Sequence, residues 1–181
     1  MAGPSQSPSR RRLAHLTRHL LAPSSSSGEL SASLGAPAAS AAAAVLVCIF
    51  EDPRGDLRVL LTKRASSLNS HSGDVSLPGG KVEEGDADVK STALREAREE
   101  IGLDPALVSV VTVLEPVLSK NGLNVAPVIG ILSDRALFNP VLNKDEVEDI
   151  FDAPLEMFLK DDNRTTPRKD CDGHDYSTPV F

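Results

Sequence analysis

The chain has 181 residues, of which 40% are hydrophobic but only 3% aromatic and none is Trp, so a core must be assembled from Val, Leu, Ile and Ala. A formal net charge of −7 excludes the broad basic surface that a nucleic acid polymer requires, although it leaves small nucleotides open as ligands. The two cysteines, Cys48 and Cys171, supply neither a zinc-ligand spacing nor a disulfide framework, which favours a reducing compartment.

Residues 1–28 contain no acidic side chain, carry Arg10, Arg11, Arg12 and Arg18, and place Leu13, Leu16 and Leu20 on one helical face. This pattern reads either as a mitochondrial transit peptide or as a short amphipathic helix ahead of a domain, leaving mitochondrion and cytoplasm both open. Residues 24–27 and the Ala/Ser-rich stretch that follows predict a flexible linker, so residues 1–40 are separated from the domain proper. The apolar run 41–50 is about half the roughly 20 residues that cross a bilayer. It predicts a buried strand over 44–50 with Cys48 in the core, paired across the turn Asp52-Pro53-Arg54-Gly55 with a second strand over 57–63. Further strands are expected over 108–116 and 125–132. After Asn143 the pattern turns helical: Asn143 with Glu146 reads as a capping box leading into Val147, Ile150 and Phe151, and Leu155, Phe158 and Leu159 follow at helical spacing. Residues 161–181 form a polar tail.

The segment 77–103 carries the chemistry. Leu77-Pro78-Gly79-Gly80-Lys81 predicts a strand end and a glycine turn, residues 82–88 an acidic loop, and Arg95-Glu96-Ala97-Arg98-Glu99-Glu100-Ile101-Gly102 the last turns of a helix stopped by glycine. Carboxylates at a helix C-terminus oppose the macrodipole, and the like-charged pair Glu96 and Glu100 costs an isolated helix roughly 0.2 to 0.5 kcal/mol. Glu96, Glu99 and Glu100 share a sector of roughly 100° beside the apolar side formed by Ala93, Leu94, Ala97 and Ile101. A divalent cation with oxygen ligands accounts for that convergence; a solvated charged face is the plainer alternative.

These residues resemble the box of the Nudix hydrolases, G-x5-E-x7-R-E-U-x-E-E-x-G-U with U aliphatic. The second half fits from Arg95 to Leu103, with Ala97 as an aliphatic position. In the first half Asp86 stands where glutamate is expected counting from Gly80, and one additional residue separates it from Arg95. Upstream, Leu60-Leu61-Thr62-Lys63-Arg64, Leu68, His71, Gly73 and Leu77-Pro78-Gly79-Gly80 are similar to the signature preceding the box in the coenzyme A diphosphatase branch, with Asn69 where a second arginine is expected.

The resemblance covers about residues 43–160 and implies an α/β fold, a mixed β-sheet sandwiched between α-helices (α/β/α) within a domain at 41–160. The polar tail cannot supply the last strand and closing helix of similar proteins, so a C-terminally shortened fold is expected. The resemblance further implies hydrolysis, dependent on Mg²⁺ or Mn²⁺, of the diphosphate bond of coenzyme A or acyl-CoA to 4'-phosphopantetheine and adenosine 3',5'-bisphosphate. Another nucleoside diphosphate derivative such as ADP-ribose or NADH is the second substrate reading, and a non-catalytic binding form the third. Its site residues would be Glu96, Glu99 and Glu100 as metal ligands, completed by the backbone oxygen of Gly80. Arg95 would orient a carboxylate, Glu99 foremost, and Arg64, His71 and Lys81 would contact substrate. A box glutamate, or else a carboxylate from a later loop, is the general base; Glu146 and Glu148 are candidates for an outside contribution to the metal centre. The expected partner is a small diphosphate molecule, with the protein a monomer or homodimer.

Overall fold

Strand β1 (Ala43–Glu51) is apolar on both sides because it lies inside the sheet. Ala44, Leu46, Cys48 and Phe50 point to one face, Val47 and Ile49 to the other. In the computed structural model, which describes residues 12–13, 15–18, 41–68, 71–119 and 122–160, β1 runs parallel to β7 (Asn124–Leu132) from Ala43↔Val125 to Ile49↔Ile131. The expectations for the linker, for Asn69 and for the tail 161–181 lie outside the described residues, as does the Leu159 side chain.

At its far end β1 pairs antiparallel with β2 (Leu57–Arg64) across the Asp52–Asp56 turn. The two strands then splay, and the chain inserts β3 (Val75–Ser76) against β2 and β4 (Gly79–Lys81) against β1. The Leu46 amide donates to the Pro78 carbonyl at 2.8 Å between them. The glycine pair is therefore extended ladder backbone, not the turn that its composition predicts. Gly79 has φ +155°, and a Cβ there would strike the Ala44 carbonyl and the Val45 backbone. Strands β5 (Val108–Val113) and β6 (Val117–Leu118) pair with β7, and β8 (Val147–Pro154) pairs with the outer edge of β2, completing a mixed sheet of eight strands among the described residues. The strand expected over 108–116 thus ends at Val113, and β6 begins beyond it at Val117.

Helix α1 (Val89–Ile101) begins at Asp88, whose carboxylate accepts from the Ser91 amide at 2.9 Å while the Ser91 hydroxyl accepts from the Asp88 amide at 3.0 Å. It ends at Gly102, left-handed at φ +71°. Val89, Ala93, Ala97 and Ile101 are buried on β1 and β7, and the two alanines let the helix approach the sheet closely.

The opposite face gathers Ile49, Val59, Leu61, Ile129, Ile131 and Ala153, with Leu13, Leu16, Met157 and Phe158 packed partly over them. Residues 12–13 and 15–18 have helical backbone, and Arg12 Nη1 donates to the Gly55 carbonyl and the Asp56 carboxylate, both at 3.3 Å. The chain after β8 forms a 3-10 helix over Leu155–Leu159. Between β2, β3, β8 and this turn lies an apolar groove of about 790 Å³, lined among others by Val59, Leu61, Leu77, Phe151 and Phe158.

The helix expected after Asn143 does not form. Glu146 and Val147 amides both donate to the Asn143 carbonyl, at 3.0 and 2.8 Å, making one turn, after which the chain becomes β8. The cause of the misreading is a β-bulge. Lys63 pairs with Asp149 and Arg64 with Val147, so Glu148 is an extra residue in the ladder. Val147 and Ile150, three residues apart, consequently share the face turned towards α1, a spacing that imitates a helix.

Candidate active site

Three elements converge beside the glycine pair. The last two turns of α1 present Glu96 and Glu100, β4 supplies backbone, and the turn before β8 supplies Glu146. One carboxylate oxygen from each of these glutamates lies within 4.8 Å of the others. Glu100 is 4% exposed and accepts from the Gly79 amide at 3.2 Å. Burial foremost pushes its pKa up to about 7, with the charges of Glu96 and Glu146 adding to the effect and the Gly79 amide opposing it. Glu96 is raised as well, chiefly by burial, against the pull of Arg95. A Cβ on Gly80 would land on the Glu96 carboxyl group and displace it, so glycine here lets Glu96 lie against the β4 backbone.

Converging, partly desolvated carboxylates without histidine or cysteine are the donor set of a hard, oxygen-seeking cation. The residues present therefore fit a hard divalent cation.

Arg95 ties the surroundings together. Its Nε and Nη2 grip the two oxygens of Asp86 at 3.0 and 3.1 Å, Nη2 also reaches the Lys81 carbonyl at 3.0 Å, and Nη1 lies 3.1 Å from Glu96 and 3.0 Å from Glu99. The fork holds Asp86 well below the usual carboxylate range, helped by the Glu83 amide and the Thr92 hydroxyl. Asp86 in turn holds Arg95 protonated above its ordinary value.

Of the residues singled out from sequence, Glu96 and Glu100 meet directly, while Glu99 stands one step outside, its side chain 55% exposed and joined to Glu96 through Arg95. Of the two outside candidates, Glu146 enters the carboxylate group. Glu148 does not, being paired with Lys63 at 2.8 Å and Ser66 at 3.1 Å. Arg64 sits at the end of β2 with a buried Nε that has no hydrogen-bond partner, and its charge acts on Glu100. His71 adopts φ +55° and its Nδ1 lies 3.0 Å from Asp74 in an exposed loop. Lys81 is exposed on β4. Sequence reasoning gave no role to Asp86 or Thr92; the available signal was the coincidence of Asp86 with an acidic position of the box.

A mixed, splayed sheet carrying a glutamate-lined helix against a glycine pair defines a Nudix-fold domain. The NUDIX domain family profile matches residues 41–169, and the chain belongs to that family. It is 64% identical over 139 residues to "Nudix hydrolase 15, mitochondrial" of Arabidopsis thaliana, covering 77% of this chain and 49% of that protein. To "Nudix hydrolase 22, chloroplastic" of the same plant it is 60% identical over 139 residues, 77% of this chain and 46% of that protein. The chain spans about half the length of these two curated relatives. Among solved structures, the Nudix hydrolase RenU of M. smegmatis superposes with a TM-score of 0.54 at 22% identity, covering 66% of this chain and 74% of that one. A C. elegans Ap4A hydrolase binary complex gives 0.53 at 22% identity, covering 65% and 83%. These two share the fold. No helix among the described residues is long and apolar enough to cross a membrane.

Proposed function

We propose that this chain is a divalent-metal-dependent hydrolase of a nucleoside diphosphate derivative, and that its substrate is coenzyme A or an acyl-CoA. The observation that carries the reading is the meeting of Glu96, Glu100 and Glu146 within 4.8 Å beside Gly79 and Gly80. Glu96, Glu99, Glu100 and the Gly80 carbonyl hold Mg²⁺ or Mn²⁺, with Glu146 as a ligand from outside the helix. The ion's contribution is to screen the diphosphate and acidify an attacking water.

Glu96, already raised in pKa and steadied by Arg95 Nη1, is the box glutamate that takes the water's proton. Arg64 offers its unpartnered Nε to a substrate phosphate, which would satisfy a donor otherwise costly to bury. Lys81 and His71 flank the diphosphate, His71 held by Asp74. The choice of coenzyme A rests on the segment from Leu60 to Gly80 with its Arg64, His71 and glycine pair. An Arg-rich N-terminal segment and a relative named as mitochondrial support a mitochondrial setting, with the cytoplasm as the alternative.

The test is hydrolysis of coenzyme A by the purified chain, with and without Mg²⁺ or Mn²⁺, resolving products by chromatography. The expected result is adenosine 3',5'-bisphosphate only with metal, and loss of at least 100-fold (about 2.7 kcal/mol) in the Glu99→Gln and Glu100→Gln variants. Unchanged turnover in those variants overturns the ligand assignment. Cleavage of ADP-ribose or NADH in preference to coenzyme A moves the substrate to the second reading, and metal-dependent ligand binding without cleavage moves the protein to the non-catalytic one.

A further inference from the structure

Asn143 and Glu146, the pair that reads in the sequence as a capping box, are put to a different use in the folded chain. In a capping box the glutamate side chain takes the amide of the capping residue. Here that amide is already used: Asn143 N–H donates to the Glu100 carbonyl at 2.9 Å, and the Val141 amide donates to the Ile101 carbonyl at 3.0 Å. Two carbonyls that α1 leaves open at its C-terminal end are satisfied in this way. Residues 141–143 are thereby fixed to the helix at the residue whose carboxylate is the most buried of the three in the site. The Glu146 carboxylate is held instead by the Asn143 side chain, Nδ2 donating to Oε1 at 3.1 Å.

The other polar groups of Asn143 build the turn that carries Glu146. Its carbonyl accepts from the Glu146 and Val147 amides at 3.0 and 2.8 Å, and its Oδ1 accepts from the Asp145 amide at 3.2 Å. With Oδ1 turned to Asp145, Nδ2 is turned to Glu146. From the far side the Ala65 amide, just beyond β2, donates to the Glu146 carbonyl at 2.9 Å. The residue type follows from these demands. Ser, Thr or Asp could also accept from the Asp145 amide, but Asn joins that acceptor to an N–H donor on one short planar group. A Lys or Arg in its place would bring a positive charge that competes with a cation for the carboxylates, whereas a neutral amide fixes one oxygen and leaves the negative charge of the cluster intact.

We propose that Asn143 is a positioning residue that holds the Glu146 carboxylate in register with Glu100 for a divalent cation. The proposal deepens the metal-dependent reading above and rests on its assignment of Glu146 as a ligand. Three carboxylates within 4.8 Å repel one another until a cation is bound. Glu96 and Glu100 stay together because they share a helix, but Glu146 stands on a turn and has room to swing outwards. The Nδ2 contact opposes that swing, and the bond from Asn143 N–H to the Glu100 carbonyl references it to α1. Without the amide, the cation must draw Glu146 back itself, and affinity falls by the roughly tenfold typical of losing a partner that orients a metal ligand.

The test is a double-mutant cycle on Mn²⁺ affinity, read in the full chain from the electron paramagnetic resonance signal of free Mn²⁺, beside a thermal melt of each variant. Asn143→Ser keeps a hydroxyl for the Asp145 amide and every backbone bond of the turn, but falls short of Glu146. It is expected to melt cooperatively and to bind Mn²⁺ about tenfold more weakly. Glu146→Ala is expected to weaken binding at least as much, and adding Asn143→Ser to Glu146→Ala to change it by less than about twofold, because nothing is left to position. A purely structural role would make Asn143→Ser weaken binding by the same factor with or without Glu146, since the tie to Glu100 is loosened either way; that result overturns the proposal. So does the parent's affinity in either Asn143→Ser or Glu146→Ala. Asn143→Thr repeats the comparison if the serine variant melts without cooperativity, and loss of cooperative melting in both makes Asn143 a residue of the fold alone. A parent chain that binds Mn²⁺ but cleaves no diphosphate refutes the proposed activity and leaves the cycle decisive on Asn143; a parent that binds no Mn²⁺ overturns both.

Discussion

Glu100 places a carboxylate where the fold alone gives little to stabilise its charge: it is 4% exposed, accepts from Gly79 at 3.2 Å and faces Glu96 and Glu146. Burial lifts its pKa from 4.5 to about 7, so between those values the native state holds a proton that the unfolded chain has released. Stability without metal therefore falls as pH rises through that window, and above about pH 7 the whole cost is present, on the order of 3 kcal/mol. Glu100→Gln removes the charge and keeps the shape. In chelator at pH 8 this variant is expected to melt several degrees above the parent, with the difference shrinking towards pH 5. Calorimetry across that range is the check; an equal difference at both pH values would sink the argument. On the proposed ligand assignment, saturating Mn²⁺ at pH 8 should raise the parent far more than the variant, which lacks one of the proposed carboxylate ligands.

At the scale of elements, α1 was legible at both ends because its boundaries are set locally. Gly102 adopts the left-handed conformation that the chain stop requires, and Asp88 makes a reciprocal cap with Ser91. Replacing Asp88 with Ala should cost about 1 kcal/mol, or roughly 2 to 4 °C in Tm for a chain of this size, measurable by circular dichroism; an unchanged melt would mean that packing of Ala93 and Ala97 on the sheet alone fixes the helix start. The strands β1, β2 and β7 were equally plain, since runs rich in Val, Leu and Ile leave few alternatives to a buried strand. Two elements were not legible. The glycine pair reads as a turn by composition, yet Gly79 is glycine because β1 backbone lies against it, and at Gly80 the missing side chain leaves room for the Glu96 carboxylate. β8 reads as a helix because the bulge at Glu148 puts Val147 and Ile150 on one side. Both failures have one physical source, a long-range contact that no local window contains. The same applies to the site: Glu96 and Glu100 could be paired from helical spacing, whereas Glu146 joins them only because β8 is zipped to β2, some 80 residues earlier in the chain.

For the molecule as a whole, the sheet has two apolar faces and α1 covers only one. On the other, Leu13 and Leu16 pack partly over the cluster containing Ile49, Val59, Ile129 and Ile131, while Arg12 reaches the β1–β2 turn at Gly55 and Asp56. Leu13, Leu16 and Arg12 thus contact the folded domain, as the reading of this segment as a short amphipathic helix expects. Exposing the two half-buried leucine contacts should cost about 1 kcal/mol each. The double substitution Leu13→Asp and Leu16→Asp is accordingly expected to lower Tm by roughly 5 °C and to increase binding of a dye that reports exposed apolar surface, because charge is placed against a face that already carries a groove. Mn²⁺ affinity should be preserved, since Glu96 and Glu100 are held from α1 across the sheet. A double variant with the parent's Tm and dye binding would show that the N-terminal residues contribute nothing to the fold, whereas loss of Mn²⁺ affinity at unchanged Tm would couple the two faces of the sheet in a way that the separate packing of α1 and residues 12–18 does not explain.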